Sequence, residues 1–177
     1  MKRRAIIYLA DCEEKRFDNY LYNDRLPFFV TSLSELHDPE SEKGKKRADY
    51  SVCNAFELRM MLEFTSDGGI DVESARHAAE NAAFKLAYAF QDQPDTDVFV
   101  ALVQFRKFED LTPRAIFVGT FADIAAQIAE KTDAPEVQRV VMVNASEVSR
   151  FVLPRAVEFD LINEYDPRPA WVMDGIY

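Results

Sequence analysis

The chain has 177 residues, 48% hydrophobic and 29% charged, which suffices for one large or two small folded domains. Its two cysteines, Cys12 and Cys53, have no Cys-x-x-Cys or Cys/His spacing, which argues against disulfide frameworks and metal sites and favours two buried apolar residues. The net charge is −10, but residues 1–50 carry ten basic and ten acidic side chains, so the acidic excess lies later. An anionic partner is therefore best tolerated by the first part of the chain.

The first apolar run does not predict export or membrane insertion. It covers Ala5–Ala10, ends at Asp11, and is too short for the core of a signal peptide. No other stretch approaches the roughly 20 apolar residues of a membrane helix. We expect a cytoplasmic protein, of bacterial origin, with no membrane partner.

Residues 1–92 show mainly helical patterns. Two helices are separated only by Asp11-Cys12, and the second ends before Pro27, which restricts Leu26 to an extended conformation. Two strands around a charged tip then form a predicted hairpin, and Ser51 and Asp71 are predicted to cap the two helices that follow. The predicted elements are helices 5–10 and 13–23, strand 28–33, tip 37–46, strand 47–50, a helix through Phe64, a breaker at 65–69 and a helix through Phe90.

The polar, Pro-containing segment 91–97 is predicted to be a domain boundary, which gives domains 1–92 and 95–177. After it the pattern becomes strand-like over Val98–Phe105, Arg114–Val118 and Val137–Val143. Thr120 and Asn144 each lie three residues before a carboxylate, as in helix caps. The order strand, strand, helix, strand, helix predicts a small α+β domain of undetermined topology, so the whole chain is expected to be α+β.

The order of the first elements resembles the MerR-type winged helix-turn-helix. The resemblance covers about half the chain and implies a mostly α domain with a small β-hairpin wing, which binds double-stranded DNA as a transcription regulator and homodimer. The segments that carry it are Tyr8-Leu-Ala-Asp11, Lys15-Arg-Phe-Asp-Asn-Tyr20, Asn23-Asp-Arg-Leu-Pro27, Arg47-Ala-Asp-Tyr-Ser51 and the Gly68-Gly69-Ile70 turn within 62–74.

Under this interpretation the helix at 13–23 enters the major groove, where side chains meet base edges. Asn19 is the candidate for a bidentate contact to adenine, and Arg25 for a contact to the DNA backbone beyond the helix. The basic wing 43–47 would clamp phosphates or enter the minor groove, and tyrosine hydroxyls would donate to phosphate. The predicted DNA-binding residues are Lys15, Arg16, Asn19, Tyr20, Tyr22, Arg25, Lys43, Lys45, Lys46, Arg47 and Tyr50.

The same residues allow plainer interpretations. The basic run could be a solvated loop, and Arg16 and Asn19 an ordinary exposed helix face. A rival function is an acidic protein-interaction module without DNA affinity, such as a phage-type antagonist or antirepressor, supported by the −10 charge with Asp18 and Asp24 on or beside the helix.

No catalytic constellation, cofactor site or metal site is predicted, and His37 and His77 are expected to have no chemical role. The tail after Glu158, with Trp171, either packs across the second domain or engages a second subunit or another protein.

Overall fold

The computed structural model describes residues 1–29, 50–92, 95–106, 113–131 and 136–162, without the side chains of Phe84 and Gln91. Helices and one antiparallel sheet confirm the predicted α+β class. In chain order the elements are α1 (Arg3–Ala10), α2 (Glu14–Tyr22), α3 (Val52–Ser66), α4 (Val72–Asp92), β1 (Phe99–Phe105), β2 (Arg114–Gly119), α5 (Phe121–Glu130), β3 (Val137–Asn144) and α6 (Ala145–Glu158).

The predicted helix caps are confirmed. Ser51 Oγ accepts the N–H of Asn54 at 3.0 Å, and the Asn54 side chain accepts the Ser51 N–H at 3.0 Å. Thr120 makes the same reciprocal pair with Asp123 at the start of α5. The side chains of Asp71 and Asn144 likewise accept N–H groups in the first turns of α4 and α6. These contacts are local because each cap satisfies a donor only three residues away.

The turn between α1 and α2 is as short as predicted. Asp11 adopts the left-handed conformation with φ 53°, and the N–H of Cys12 donates to the carbonyl of Ile7 at 3.0 Å. Both cysteines are buried and unpaired with each other, as predicted. Burial raises the pKa of the Cys12 thiol to about 11, and it also raises that of Cys53.

The sheet has the order β2-β1-β3, and both pairings with β1 are antiparallel. Val100 of β1 lies opposite Val118 and Val143 and belongs to the main core, which the helices α1, α3, α4 and α6 complete. The other face of the sheet packs a smaller cluster, with Phe117 and Ile124, against α5. The helices therefore lie on both faces of the sheet, with most of them on one.

The centre of the molecule is α3. Its buried residues, which include Leu58, Met61 and Phe64, occur all round the helix because α1, α4, α6 and the sheet surround it. The main core is continuous across the predicted boundary at 91–97, from Ile6 in α1 to Val152 in α6. The division into two domains stays a prediction. In the described residues, the two parts of the chain share one continuous hydrophobic core.

The predicted hairpin lies mostly outside the described residues, and Phe28, Phe29 and Tyr50 at its borders are not in strands. The rings of Phe28 and Tyr50 lie 6.1 Å apart, so the chain leaves and re-enters the described structure at one place. Tyr50 is also tied to Met1, whose carbonyl accepts its N–H at 3.1 Å and whose amino group donates to its carbonyl. In the described part of the chain no helix is both long and apolar enough to span a bilayer.

Candidate nucleic-acid interface

One side of α2 is open to solvent and carries three of the predicted DNA contacts. Lys15, Asn19 and Tyr22 are exposed, and Tyr22 is 90% exposed. Their spacing of four and three residues places them on one side of the helix. An amide, an ammonium and a phenol group therefore project together from a surface that nothing covers in the described residues.

The opposite side of α2 is anchored in the core. Phe17 is fully buried, with its ring 5.8 Å from that of Tyr50 in an edge-on arrangement. Tyr20 is 4% exposed. Two aromatic side chains thus hold a nine-residue helix that would be marginal by itself.

Arg16 departs from its predicted exposed position. It is half-buried, with Nε donating to the Tyr20 hydroxyl at 2.7 Å. Its two terminal nitrogens donate to Thr65 Oγ1 at 2.7 Å and Ser66 Oγ at 3.2 Å, both at the end of α3. The guanidinium therefore joins α2 to α3, and its nitrogens are already engaged within the fold.

Tyr20 and Tyr50 also depart from prediction, since both side chains are 4% exposed. The Tyr20 hydroxyl accepts a hydrogen bond from Arg16 inside the fold. Burial raises the pKa of the Tyr50 hydroxyl, partly offset by the charge of Arg3. Neither side chain is placed to contact a phosphate, because both rings are buried in the hydrophobic packing that anchors α2.

The acidic side chains of α2 are paired rather than free. Arg3 in α1 donates to Glu14 Oε1 at 2.8 Å and to Asp18 Oδ1 at 2.5 Å. Desolvation would lower the pKa of the Arg3 guanidinium, but these two carboxylates outweigh it and raise the pKa. Counted together, the three cations Arg3, Lys15 and Arg16 and the two carboxylates have a net charge of +1.

Arg25 follows α2 and is exposed, with Nε 3.4 Å from Glu73 Oε1 in the first turn of α4. Such an exposed pair is easily exchanged for another anion because solvent screens it. The four wing cations Lys43, Lys45, Lys46 and Arg47 lie outside the described residues, so they stay predictions. Tyr50, the first described residue after that segment, has its ring 5.8 Å from that of Phe17.

Two cations absent from the sequence-based site are neighbours in sequence of Arg3, which contacts α2. Lys2 and Arg4 are exposed, flank Arg3, and contact no carboxylate among the described residues. The sequence shows these cations as the basic run Lys2-Arg3-Arg4. Because this run precedes an apolar segment, it does not by itself indicate a contact with α2. That relation is visible only through the contacts of Arg3 with Glu14 and Asp18.

His77, the histidine among the described residues, gives no second site. His77 is exposed with Nδ1 3.9 Å from a carboxylate oxygen of Glu80, and His37 lies outside the described residues. Within the part of the chain that the structure describes, no three His, Cys, Asp or Glu side chains are grouped to hold a metal ion. Comparison with models of known protein families gives no match, and a search of curated proteins gives none either.

Proposed function

We propose that this protein is a sequence-specific DNA-binding regulator in which α2 enters the major groove. One observation supports this most directly: α2 follows α1 after a tight turn, buries Phe17 and Tyr20, and leaves Lys15, Asn19 and Tyr22 exposed together. A helix held in this way can enter a groove about 12 Å wide without losing its anchors. The likeness of this part to the MerR-type helix-turn-helix agrees with the proposal.

Each contact has a distinct chemical role in the proposal. Asn19 offers a carbonyl and an amide for bidentate pairing with adenine, and Tyr22 offers a ring and a hydroxyl at the helix end. Lys15 and Arg25 would bind phosphates, and Lys2 and Arg4 would extend the cationic surface along α1. Arg16 would act by positioning α2 through its contacts at the end of α3.

The wing and the assembly belong to the same proposal. Lys43, Lys45, Lys46 and Arg47 would contact phosphates or the minor groove beside α2. Two copies would read paired half-sites, because one small helix-turn-helix buries limited surface on DNA. The remaining acidic part of the chain would serve dimerisation, sensing or contact with a protein partner.

The charge distribution makes DNA binding by this face feasible despite the net charge of −10. Arg3 pairs with both Glu14 and Asp18 and offsets one of their two negative charges, so the exposed side of α2 does not present two unpaired carboxylates to phosphate. Salt limits the range of electrostatic interactions between exposed charges to about 8–10 Å at physiological ionic strength. Exposed cations near α2 therefore raise the potential at the DNA contact even though the later part of the chain is acidic.

The test starts with selection of fragments from sheared bacterial genomic DNA by the purified chain, followed by affinity measurements on the selected site. Asn19→Ala should weaken binding by about 1–3 kcal/mol and relax preference at one base position. Replacing Lys45, Lys46 and Arg47 together by Ala should weaken all sequences and flatten the salt dependence. Asn81→Ala, at an exposed asparagine of α4, is the matched control for Asn19→Ala. It should change neither the affinity for DNA nor the base preference.

The rival function is an acidic protein-interaction module, and the exposure of Glu14 and Asp18 on α2 is the observation that favours it. The two functions differ in their response to salt. A DNA-binding protein loses affinity with a log–log slope of about −0.9 for each neutralised phosphate, whereas the rival would not bind DNA at any salt concentration. Absence of selected fragments at about 50 mM salt would overturn the DNA proposal.

A further inference from the structure

The two outer strands of the sheet differ in how their free edges are treated. The N–H of Phe105 donates to the carbonyl of Pro113 at 2.9 Å, so in the antiparallel alternation Ile116 and Val118 of β2 point their backbone groups outward. Lys85 Nζ donates to the Ile116 carbonyl at 2.9 Å, and Gln127 Nε2 to the Val118 carbonyl at 3.2 Å. Side chains from α4 and α5 thus cover this edge.

In the part of the chain that the structure describes, the edge at β3 has no such cover. The N–H of Ala145 donates to the carbonyl of Val98, so the same alternation directs the backbone N–H and C=O groups of Val140 and Met142 away from β1. Among the described residues, no side chain bonds to these groups, and Val140 is 40% exposed. Free strand edges with aliphatic side chains are templates for another strand.

A groove of about 810 Å³ runs along this edge. One wall consists of the consecutive residues Arg139–Asn144. Because side chains of a strand alternate between the two faces of the sheet, consecutive residues can line the groove together only along the edge of the strand. The other wall comes from the end of α3 and the start of α6, including Glu63 and Phe151. The helices therefore extend beyond β3 and leave a slot between strand and helix.

The charges of the groove favour a neutral occupant. Arg59, Arg139 and Arg150 on its walls are balanced by Glu63, Asp67 and Glu147. Arg59 and Arg150 are already paired, at 2.5 Å from Glu63 and 3.2 Å from Glu147. The apolar part of the lining is aliphatic and aromatic, with Val141, Val143, Val148 and Phe151.

A second copy of the chain fits this slot poorly. Val143 is 7% exposed under its own helices, and a Cβ at Gly68 would lie 2.7 Å from Val141 Cγ1, which shows how closely the end of α3 packs on β3. The β3 strand of a second copy would bring its own α3 and α6 to the same face. Two sets of overhanging helices would then compete for one space, whereas a separate peptide brings none.

We propose that the groove beside β3 binds an extended, uncharged and mainly aliphatic peptide segment of a partner protein, which adds to the sheet as a fourth strand. Backbone groups of Val140 and Met142 pair with the peptide, and the lining of the groove selects its alternate side chains. This interaction does not depend on DNA binding, so the two proposals fail or succeed separately.

The experiment uses the full chain and a phage-displayed library of random peptides about 12 residues long, enough to span a strand. Selected peptides should be near neutral, with β-branched or aliphatic residues at alternate positions. Val140→Pro removes the outward N–H and should weaken their binding by at least about tenfold, since an edge proline blocks strand addition without breaking the pairing with β1. Ile116→Pro is the matched control, because it makes the same change on the covered edge. This variant should bind the selected peptides as tightly as the unmodified protein does.

Two measurements on the unmodified protein test the same proposal without the proline variants, which could fail to fold. N-methylation along a selected peptide should weaken binding at every second position, because only alternate N–H groups face β3. The amides of Val140 and Met142 should exchange with solvent fast in the free protein and slowly with peptide bound. Uniform effects of N-methylation, or dissociation of a dimer by Val140→Pro without any selected peptide, would overturn the proposal.

Discussion

Glu57 makes the stability of this protein depend on pH in a way that can be calculated. The side chain lies within α3, is 9% exposed, and receives one hydrogen bond, from Asn54 Nδ2 at 3.3 Å. Burial raises the pKa of its carboxyl from 4.5 to about 8; the bond from Asn54 opposes this shift and the charge of Glu80 adds to it. The folded protein therefore keeps Glu57 protonated at neutral pH, whereas the unfolded chain ionises it.

The sign of the effect follows from proton linkage. Because the folded state binds the proton more tightly, the stabilisation is complete below pH 4.5 and is lost as the pH rises towards 8. The loss is about 1.4 kcal/mol per pH unit, so the contribution of Glu57 falls by about 3 kcal/mol between about pH 5 and pH 7. Glu57→Gln removes the titrating proton while retaining shape and hydrogen-bonding capacity.

The assay is urea unfolding of the two proteins at several values of pH between about 5 and 8, the range over which the linkage acts. The free energy of unfolding of the variant, relative to that of the unmodified protein, should rise with pH by the amount given above. Glu130→Gln, at an exposed position of α5, is the control for removal of a carboxyl and should show no such rise. Parallel pH profiles for the unmodified protein and Glu57→Gln would refute the reasoning.

Three further predictions concern α2 and α3. Gly68→Ala should lower the free energy of unfolding by about 1–3 kcal/mol, because the new methyl group would lie 2.7 Å from both the Phe64 carbonyl oxygen and Val141 Cγ1; an unchanged urea midpoint would contradict this. Ser51→Ala should cost about 1 kcal/mol through loss of the α3 cap, and Ser51→Asp should restore most of it. Arg16→Ala should speed amide exchange in α2 but not in α3; equal exchange in both proteins would show that the aromatic anchors suffice.

The elements of the fold could be predicted well from the sequence because their signals are local. Ser51, Asp71, Thr120 and Asn144 each satisfy free N–H groups of the helix that follows, so the start of these helices can be predicted from a few neighbouring residues. The strands after residue 95 are likewise predicted from short aliphatic runs. The exposed group Lys15, Asn19 and Tyr22 follows from the helical period of α2.

Positions that depend on distant partners could not be predicted. Arg16 was expected in solvent, yet Thr65 and Ser66, about fifty residues later, accept its hydrogen bonds. Tyr20 and Tyr50 were expected at the surface because a phenol can lie in either environment, and only the packing around Phe17 fixes them inside. Glu57 has no distinguishing signal in the sequence, since a carboxylate in a helix is usually exposed.

By itself, the sequence determined the α+β class, the starts of the four capped helices α3 to α6, and the side of α2 that carries polar groups, whereas α1 begins two residues earlier and α3 and α4 end two residues later than predicted. These follow from caps and periodicity, which act over a few residues. Only the tertiary structure decided the strand order β2-β1-β3, and with it which edge Lys85 and Gln127 cover and which edge no described side chain covers. It also decided that Arg3 pairs with both carboxylates of α2, because pairing between distant segments depends on how the elements pack and leaves no local pattern in the chain.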